Sequence, residues 1–302
     1  MFMEGKRKMI VSFKIETNKS TLVSSYIHGI LQQMKQNKHF LIKEWNINQN
    51  VELEKIGEKN DHNLIPVSDM KTAETINLFE KVYRDVNVAL ANEFALFCEK
   101  VGIDFIEVMN AANTQPYCHL PFPGIVSRLP EKDLLVEEAE NVNAKLRMTI
   151  LARKINDGIL KHTIRLARDA LGQCGKTLRR AKISILGVYP PDVFRNQGFS
   201  IKELVDMLHG RGVKVKVYDS RFSYKDLKEL GYPAERTLTK TVQGADCLVI
   251  AVRDNKFKRL NLKRIKLLVR MPAAIVDMSR ILAPAKAEKE GFIYYSLGRG
   301  VK

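Results

Sequence analysis

The sequence predicts an α/β protein: a long central helical region, then a doubly wound parallel sheet, preceded by the remnant of another α/β domain. Three observations carry this. Between Asp69 and Gly102, apolar residues recur at helical spacing with no Pro or Gly between them. After Arg179, short apolar runs alternate with amphipathic ones, as parallel strand–helix–strand units require. Before Asp69 there is only a short strand, one helical stripe and a second short strand. A chain of 302 residues with 45% hydrophobic side chains can build one large or two ordinary domains. The boundaries are placed at 1–68, 69–175 and 176–302.

In chain order, Met9–Glu16 (MIVSFKIE) alternates loosely and reads as a strand. Ser20–Gln36 reads as a helix with Leu22, Tyr26, Ile30 and Met34 on one side, and Phe40–Ile42 as a further strand. Asn46–Asn63 is polar and reads as a loop. Asp69 and Thr72 suit a helix start, and Ile76, Phe79, Val82, Val86, Leu90, Phe94 and Phe97 follow on one face. About 30 residues at ~1.5 Å each make a helix of about 45 Å, long enough to join two domains or to pack on a partner helix. Gly102 supplies the stop, and Ile103–Asn113 reads as a second, shorter helix. Ala89 and Ala91 leave room for a close helix. Asn92 and Glu93 are expected to be solvated or to cap a neighbouring turn; the alternative is that they tie two helices across a dimer contact.

Pro121, Pro123, Gly124 and Pro130 mark an irregular loop, after which Glu131–Asp157 reads as helical. Strands are expected at Ala181–Val188, Val213–Tyr218, Gly244–Val252, Ala273–Asp277 and Phe292–Tyr295, and helices at Ser200–Gly210, Tyr224–Leu230 and Leu262–Val269. Leu238–Val242 reads as a lead-in to the third strand. Ligands of such sheets sit at the carboxyl ends of the strands, where Gly187, Asp219 and Asp277 fall.

Composition narrows the function. Cys98, Cys118, Cys174 and Cys247 lack CxxC spacing, against both a zinc site and a secreted disulfide scaffold. No run of about 18 apolar residues occurs, and MFMEGKRKMIVSF is not read as a signal peptide, so a cytoplasmic protein without a membrane partner is expected. The net charge of +16 suits an anionic partner, but the cations are spread along the chain. Their one concentration, Lys256–Arg270, is read as a solvated helix face rather than a nucleic-acid patch.

The run TAETINLFEKVYRDVNVALANE from Thr72, with Gly102-Ile-Asp and Ala112-Asn-Thr-Gln-Pro, resembles the central helical domain of the UDP-sugar 6-dehydrogenases, and within them the UDP-N-acetylmannosamine branch. LARKIND from Leu151 is similar as well, as are GVKVKVYDS, GADCLVIAV, AAIVDMSRI and the terminal LGRG, which look like that family's UDP-binding, Rossmann-like domain. The resemblance runs almost continuously from Thr72 to Lys302 and more weakly over Met9–Ile42. It implies NAD as cofactor, UDP or a UDP-sugar as ligand, and a homodimer through Asp69–Asn113.

The chain departs from the family where its chemistry is expected. A dinucleotide site needs a strand, a Gly-rich turn and a helix N-terminus, and no GxGxxG precedes Asp69, so the chain is expected to begin well inside that domain and to bind no NAD alone. The family places a lysine and, four residues on, an asparagine after its Ala-Glu pair; Asn77 and Lys81 stand there with types exchanged. Arg84 and Asn87 survive and are read as helix-surface or packing residues. The family's thiol loop aligns with GIVSRLPEKD from Gly124: Ser127 and Arg128 offer no thiol, and Lys132 stands for the aspartate, with Asp133 one step away. Cys118 lies upstream and is read as a small buried side chain. In the UDP grip, Pro190 replaces a lysine, Arg195 an acid and Gln197 an arginine. Arg195, Asp219 and Arg280 are the candidate substrate-binding residues, and no catalytic or metal-ligating residue is assigned. The expectation is a truncated, catalytically inactive relative with a scaffold or regulatory role. The alternatives are an active NAD-dependent UDP-amino-sugar 6-dehydrogenase, alone or with a partner chain, and a nucleic-acid-binding protein.

Overall fold

The computed structural model describes residues 11–12, 42–43, 70–126, 130–188 and 200–300. The chain divides into two compact units, residues 1–83 and 84–302. In the first, β1 (Val11–Ser12) and β2 (Ile42–Lys43) pair in parallel, within or beside the strands expected there. The helix expected at Ser20–Gln36 and the loop at Asn46–Asn63 lie outside the described residues.

The long helix, α1 (Met70–Val101), forms as its uninterrupted periodicity requires. Gly102 ends it with φ +78°, and the Ile103 N–H reaches back to Cys98 O at 3.0 Å, closing the last turn. α2 (Phe105–Ala112) starts where the Asp104 carboxylate accepts from Ile106 N–H.

The single helix expected over Glu131–Asp157 is corrected: α3 (Pro130–Asn141) and α4 (Arg147–Gln173) are separate. Asn143 adopts φ +58°, its N–H bonds Glu140 O, and Ala144 N–H bonds Ala139 O, an asparagine-terminated helix end. α4 in turn runs well past Asp157 through Gly158 and Gly172. Each glycine costs a helix about 1 kcal/mol, but Ile159, Leu160, Ile164, Ala167, Ala170 and Leu171 are buried in the core, which outweighs that cost.

β3 (Lys182–Leu186), β4 (Lys214–Tyr218), β5 (Cys247–Ile250), β6 (Ala274–Asp277) and β7 (Ile293–Ser296) form an all-parallel sheet in the order β4-β3-β5-β6-β7. Strands β5 and β6 are buried on both faces and apolar but for Asp277 at the end of β6. Each fully buried Ile, Val or Leu contributes about 1.5–3 kcal/mol. The connections carry α5 (Ser200–His209), α6 (Tyr224–Glu229), α7 (Leu238–Val242), α8 (Asn255–Lys258), α9 (Leu262–Lys266) and α10 (Pro284–Lys289). Leu238–Val242 is a helical turn rather than a lead-in to a strand, because Thr237 caps it from Lys240 N–H at 3.2 Å. α10, started by Pro284, was not anticipated. The chain leaves β3 for β4 on one side and later for β5 on the other, so the sheet's switch point lies between β3 and β5. The terminal LGRG run is pinned by Gly298, whose N–H donates to Glu99 and whose carbonyl accepts from Phe105 N–H. No helix among the described residues is long and apolar enough to cross a membrane.

Candidate functional site

The carboxyl ends of the strands are built around two enclosed carboxylates. Asp219, 1% exposed, follows β4 and accepts from Val188 N–H at 2.7 Å and Arg221 N–H at 2.9 Å. It also binds the Arg221 guanidinium through Nη2 at 2.7 Å and Nε at 3.1 Å, while Arg221 donates to Val188 O at 2.9 Å. Asp219 therefore ties the ends of β3 and β4 together and fixes Arg221. Asp277, at the end of β6, accepts from the N–H groups of Ser279, Ile281 and Leu282, from Ser279 Oγ and from the Tyr294 hydroxyl. Burial, with Asp277 beside it, pushes the Tyr294 phenol well above its ordinary range, so it stays a donor. Gly187 takes φ +92°, and a Cβ there would meet Val252 Cγ2 at 2.0 Å, so β3 and the end of β5 close on each other.

Above these anchors lies a cleft of ≈ 350 Å³, within the range that holds small ligands. Arg84 and Val88 of α1 line one side, Phe122–Val126 another, and Arg221, Ala251–Arg253, Met278 and Ser279 the floor. Arg253 stacks on the Phe122 ring at 3.8 Å while its Nη1 donates to Ser279 O at 3.0 Å and Arg280 O at 3.3 Å. Asn92 sets the position of the 122–126 loop: it is fully buried, accepts from Gly124 N–H at 2.8 Å, and donates to Gly124 O at 3.1 Å and Asn156 Oδ1 at 3.0 Å. Asn156 on α4 donates onward to Asp85 O. Of the readings for Asn92, the solvated one is corrected: the side chain is fully buried and meets the neighbouring turn at Gly124, joining α1, α4 and the loop within one chain. Glu93 is exposed, and Ala89, Ala91 and Ala95 are buried.

Among the described residues, three arginines and one aromatic ring line this cleft, and no carboxylate does. Such a set recognises a phosphate beside a planar or apolar group. The candidate residues named from the sequence are placed unevenly. Asp219 is inside, holding Arg221. Arg280, at φ +51°, turns its guanidinium to Ser296 Oγ at 2.8 Å and the Asp104 carboxylate, joining β7 to the start of α2; only its carbonyl serves the cleft, through Arg253. Ser127, Arg128, Pro190, Arg195 and Gln197 lie outside the described residues, as do the side chains of Asn77, Lys132 and Asp133. Lys81 belongs to the unit 1–83. Arg84 lines the cleft, Asn87 is half-buried on α1, and Cys118 is half-buried rather than buried. Cys98, Cys174 and Cys247 are buried, which pushes their thiols up. Arg221, Arg253 and Phe122 escaped the sequence reading. Arg221 and Arg253 stand just past strand ends, the place where ligand contacts concentrate, and that position was their signal.

Residues 71–158 match the model of the UDP-glucose/GDP-mannose dehydrogenase family, central domain, and residues 200–284 that of its UDP binding domain, together more than half of the chain. The chain is 34% identical over 247 residues to a UDP-N-acetyl-D-mannosamine dehydrogenase of Methanocaldococcus jannaschii, covering 78% of this chain and 53% of that one. A second such enzyme, of Methanococcus maripaludis, is 30% identical over 243 residues, covering 78% and 54%. The chain thus spans about half the length of the curated relatives it matches. Among solved structures, the UDP-D-ManNAc dehydrogenase of Pyrococcus horikoshii superposes with a TM-score of 0.66 at 27% identity, over 82% of this chain and 57% of that one. A UDP-glucose dehydrogenase from Pyrobaculum islandicum shares the fold at a TM-score of 0.67 and 18% identity, over 86% and 58%.

Proposed function

The chain belongs to the UDP-glucose/GDP-mannose dehydrogenase family, and from that premise we propose that it binds a UDP-sugar in the arginine-lined cleft without carrying out the family's oxidation. The supporting observation is the Phe122–Val126 loop. It lines the cleft and leads into the run where the family carries its thiol, yet residues 124–133 contain no cysteine. No cysteine lines the cleft among the described residues. Loss of a nucleophile alone lowers turnover by several orders of magnitude. Arg221 and Arg253 would grip the diphosphate, with Arg84 facing them.

The residues do not fit NAD, the cofactor the resemblance implies. Residues 1–68 hold no glycine-rich turn, and Gly187 makes room for Val252 rather than for a pyrophosphate. The role that remains is a binding scaffold or regulator acting as a dimer. Leu90, Phe94, Phe97 and Val101 lie exposed at i, i+4, i+7 and i+11 on α1, an apolar face suited to the same face of a second copy.

Calorimetric titration with UDP, paired with NADH measurement over a UDP-sugar panel, tests this reading. Expected are UDP binding, weakened about tenfold by Arg253→Ala as loss of one charge-assisted contact predicts, and no NADH. Formation of NADH would establish the active-dehydrogenase reading instead; absence of UDP binding would remove the cleft from consideration. Sedimentation as a monomer would refute the dimer.

A further inference from the structure

An all-parallel sheet gathers the turns that enter its strands at one end. Here that end, opposite the cleft, is a belt of cations. Arg211 and Lys214 border β4, Arg179, Arg180 and Lys182 lead into β3, and Arg270 leads into β6; all are exposed. Contacts between the turns make the belt continuous. Arg180 N–H bonds Gly212 O, and a Cβ on Gly212 would touch Arg179 Cγ at 3.5 Å. Lys182 Nζ stands 3.8 Å from the corresponding point on Gly244, whose N–H bonds Leu268 O. Met271 Cε and Lys266 Nζ flank Gly291 before β7. The acid at the centre, Asp246, is buried and already taken by Lys182 N–H, Lys176 and Arg270; Glu290, half-buried, is the other acid of these turns.

Two features go beyond a solvated basic surface. Leu267, 85% exposed, and Met271, 37% exposed, stand among the cations. Arg180 holds φ +66°, a conformation that glycine adopts freely and arginine does not, in a turn where no core packing demands an arginine. We propose that this face binds an anionic membrane surface, the cations meeting lipid phosphates and Leu267 entering the headgroup boundary. Nucleic acid fits less well. Strand-binding faces present aromatic rings for stacking, and Phe292, the aromatic of the turn entering β7, is buried. An aliphatic tip among lysines and arginines suits a bilayer. The sequence reading expected no membrane partner because no spanning helix exists; surface attachment needs none. It would leave the cleft facing away from the bilayer, open to ligand.

The test is co-sedimentation of the full chain with vesicles of equal parts phosphatidylglycerol and phosphatidylcholine, against pure phosphatidylcholine. Binding is expected to the anionic vesicles only and to fall with added salt as screening shortens. Each cation near such a surface is worth about fivefold in affinity, so the triple variant Arg179→Glu/Arg180→Glu/Lys182→Glu should lose more than about 100-fold. Leu267→Ser, which removes the apolar tip without adding charge, should weaken vesicle binding while leaving binding to a DNA oligonucleotide unchanged. Arg180→Gly controls for folding: it should hold or raise the melting temperature and still weaken vesicle binding. Equal binding to neutral vesicles, no binding at low salt by wild-type protein, or a Leu267→Ser variant that binds vesicles as wild type would each overturn the proposal.

Discussion

At the carboxyl ends of the strands, the charges that anchor the fold are enclosed and paired. Asp219 holds Arg221, Asp277 gathers five donors, and Arg280 meets Asp104. At the amino ends the cations are exposed, and the buried carboxylate, Asp246, is the exception. The same sheet thus has one end whose polar groups define a fixed pocket and one whose polar groups face outward. Changes at the first end should act on stability, and changes at the second on association.

The largest expected effect sharpens that contrast most. Asp277→Ala would strand several buried donors at once and should cost about 3–5 kcal/mol, read as a lower urea midpoint; a loss under about 1 kcal/mol would mean the enclosed end is not rigid. Asn92→Ala should cost about 2–3 kcal/mol, since Gly124 N–H and Asn156 both lose their partner. It should also weaken UDP binding, because the Phe122–Val126 loop is released.

A smaller effect, confined to acid, tests the exception. Burial disfavours the Asp246 carboxylate, but the Lys182 N–H and Lys176 outweigh it, so its folded value lies below the ordinary one. A folded value below the unfolded one means stability present above the unfolded value and lost as pH falls through the folded one. Melting temperatures should therefore decline in acid, and Asp246→Asn should flatten that decline. The smallest effect belongs to the exposed cations: Arg179→Ala and Lys214→Ala should each change protomer stability by less than about 0.5 kcal/mol in thermal melts. A large loss from either would break the comparison.

Much of the fold was legible. Helical spacing with a glycine stop specifies α1 and its end at Gly102, and buried apolar runs specify β5 and β6. The misread helix over Glu131–Asp157 carried a local signal, Asn143, that periodicity alone overlooks. The site was less legible. Asp219 and Arg280 stood out as charges near strand ends, yet their side chains bind within the fold, while Arg221 and Arg253 line the cleft.

By itself, then, the sequence determined the long helix, the strands of the sheet, their parallel direction and the absence of a thiol between residues 124 and 133, because periodicity, turn chemistry and residue type are local properties of the chain. Only the tertiary structure decided that Asn92 meets Asn156 and Gly124, that Arg253 stacks on Phe122, and that the turns entering the strands join into one basic face. Those outcomes depend on which crossovers bring distant residues within bonding distance, and a carboxylate or guanidinium takes whichever partner that packing leaves nearest.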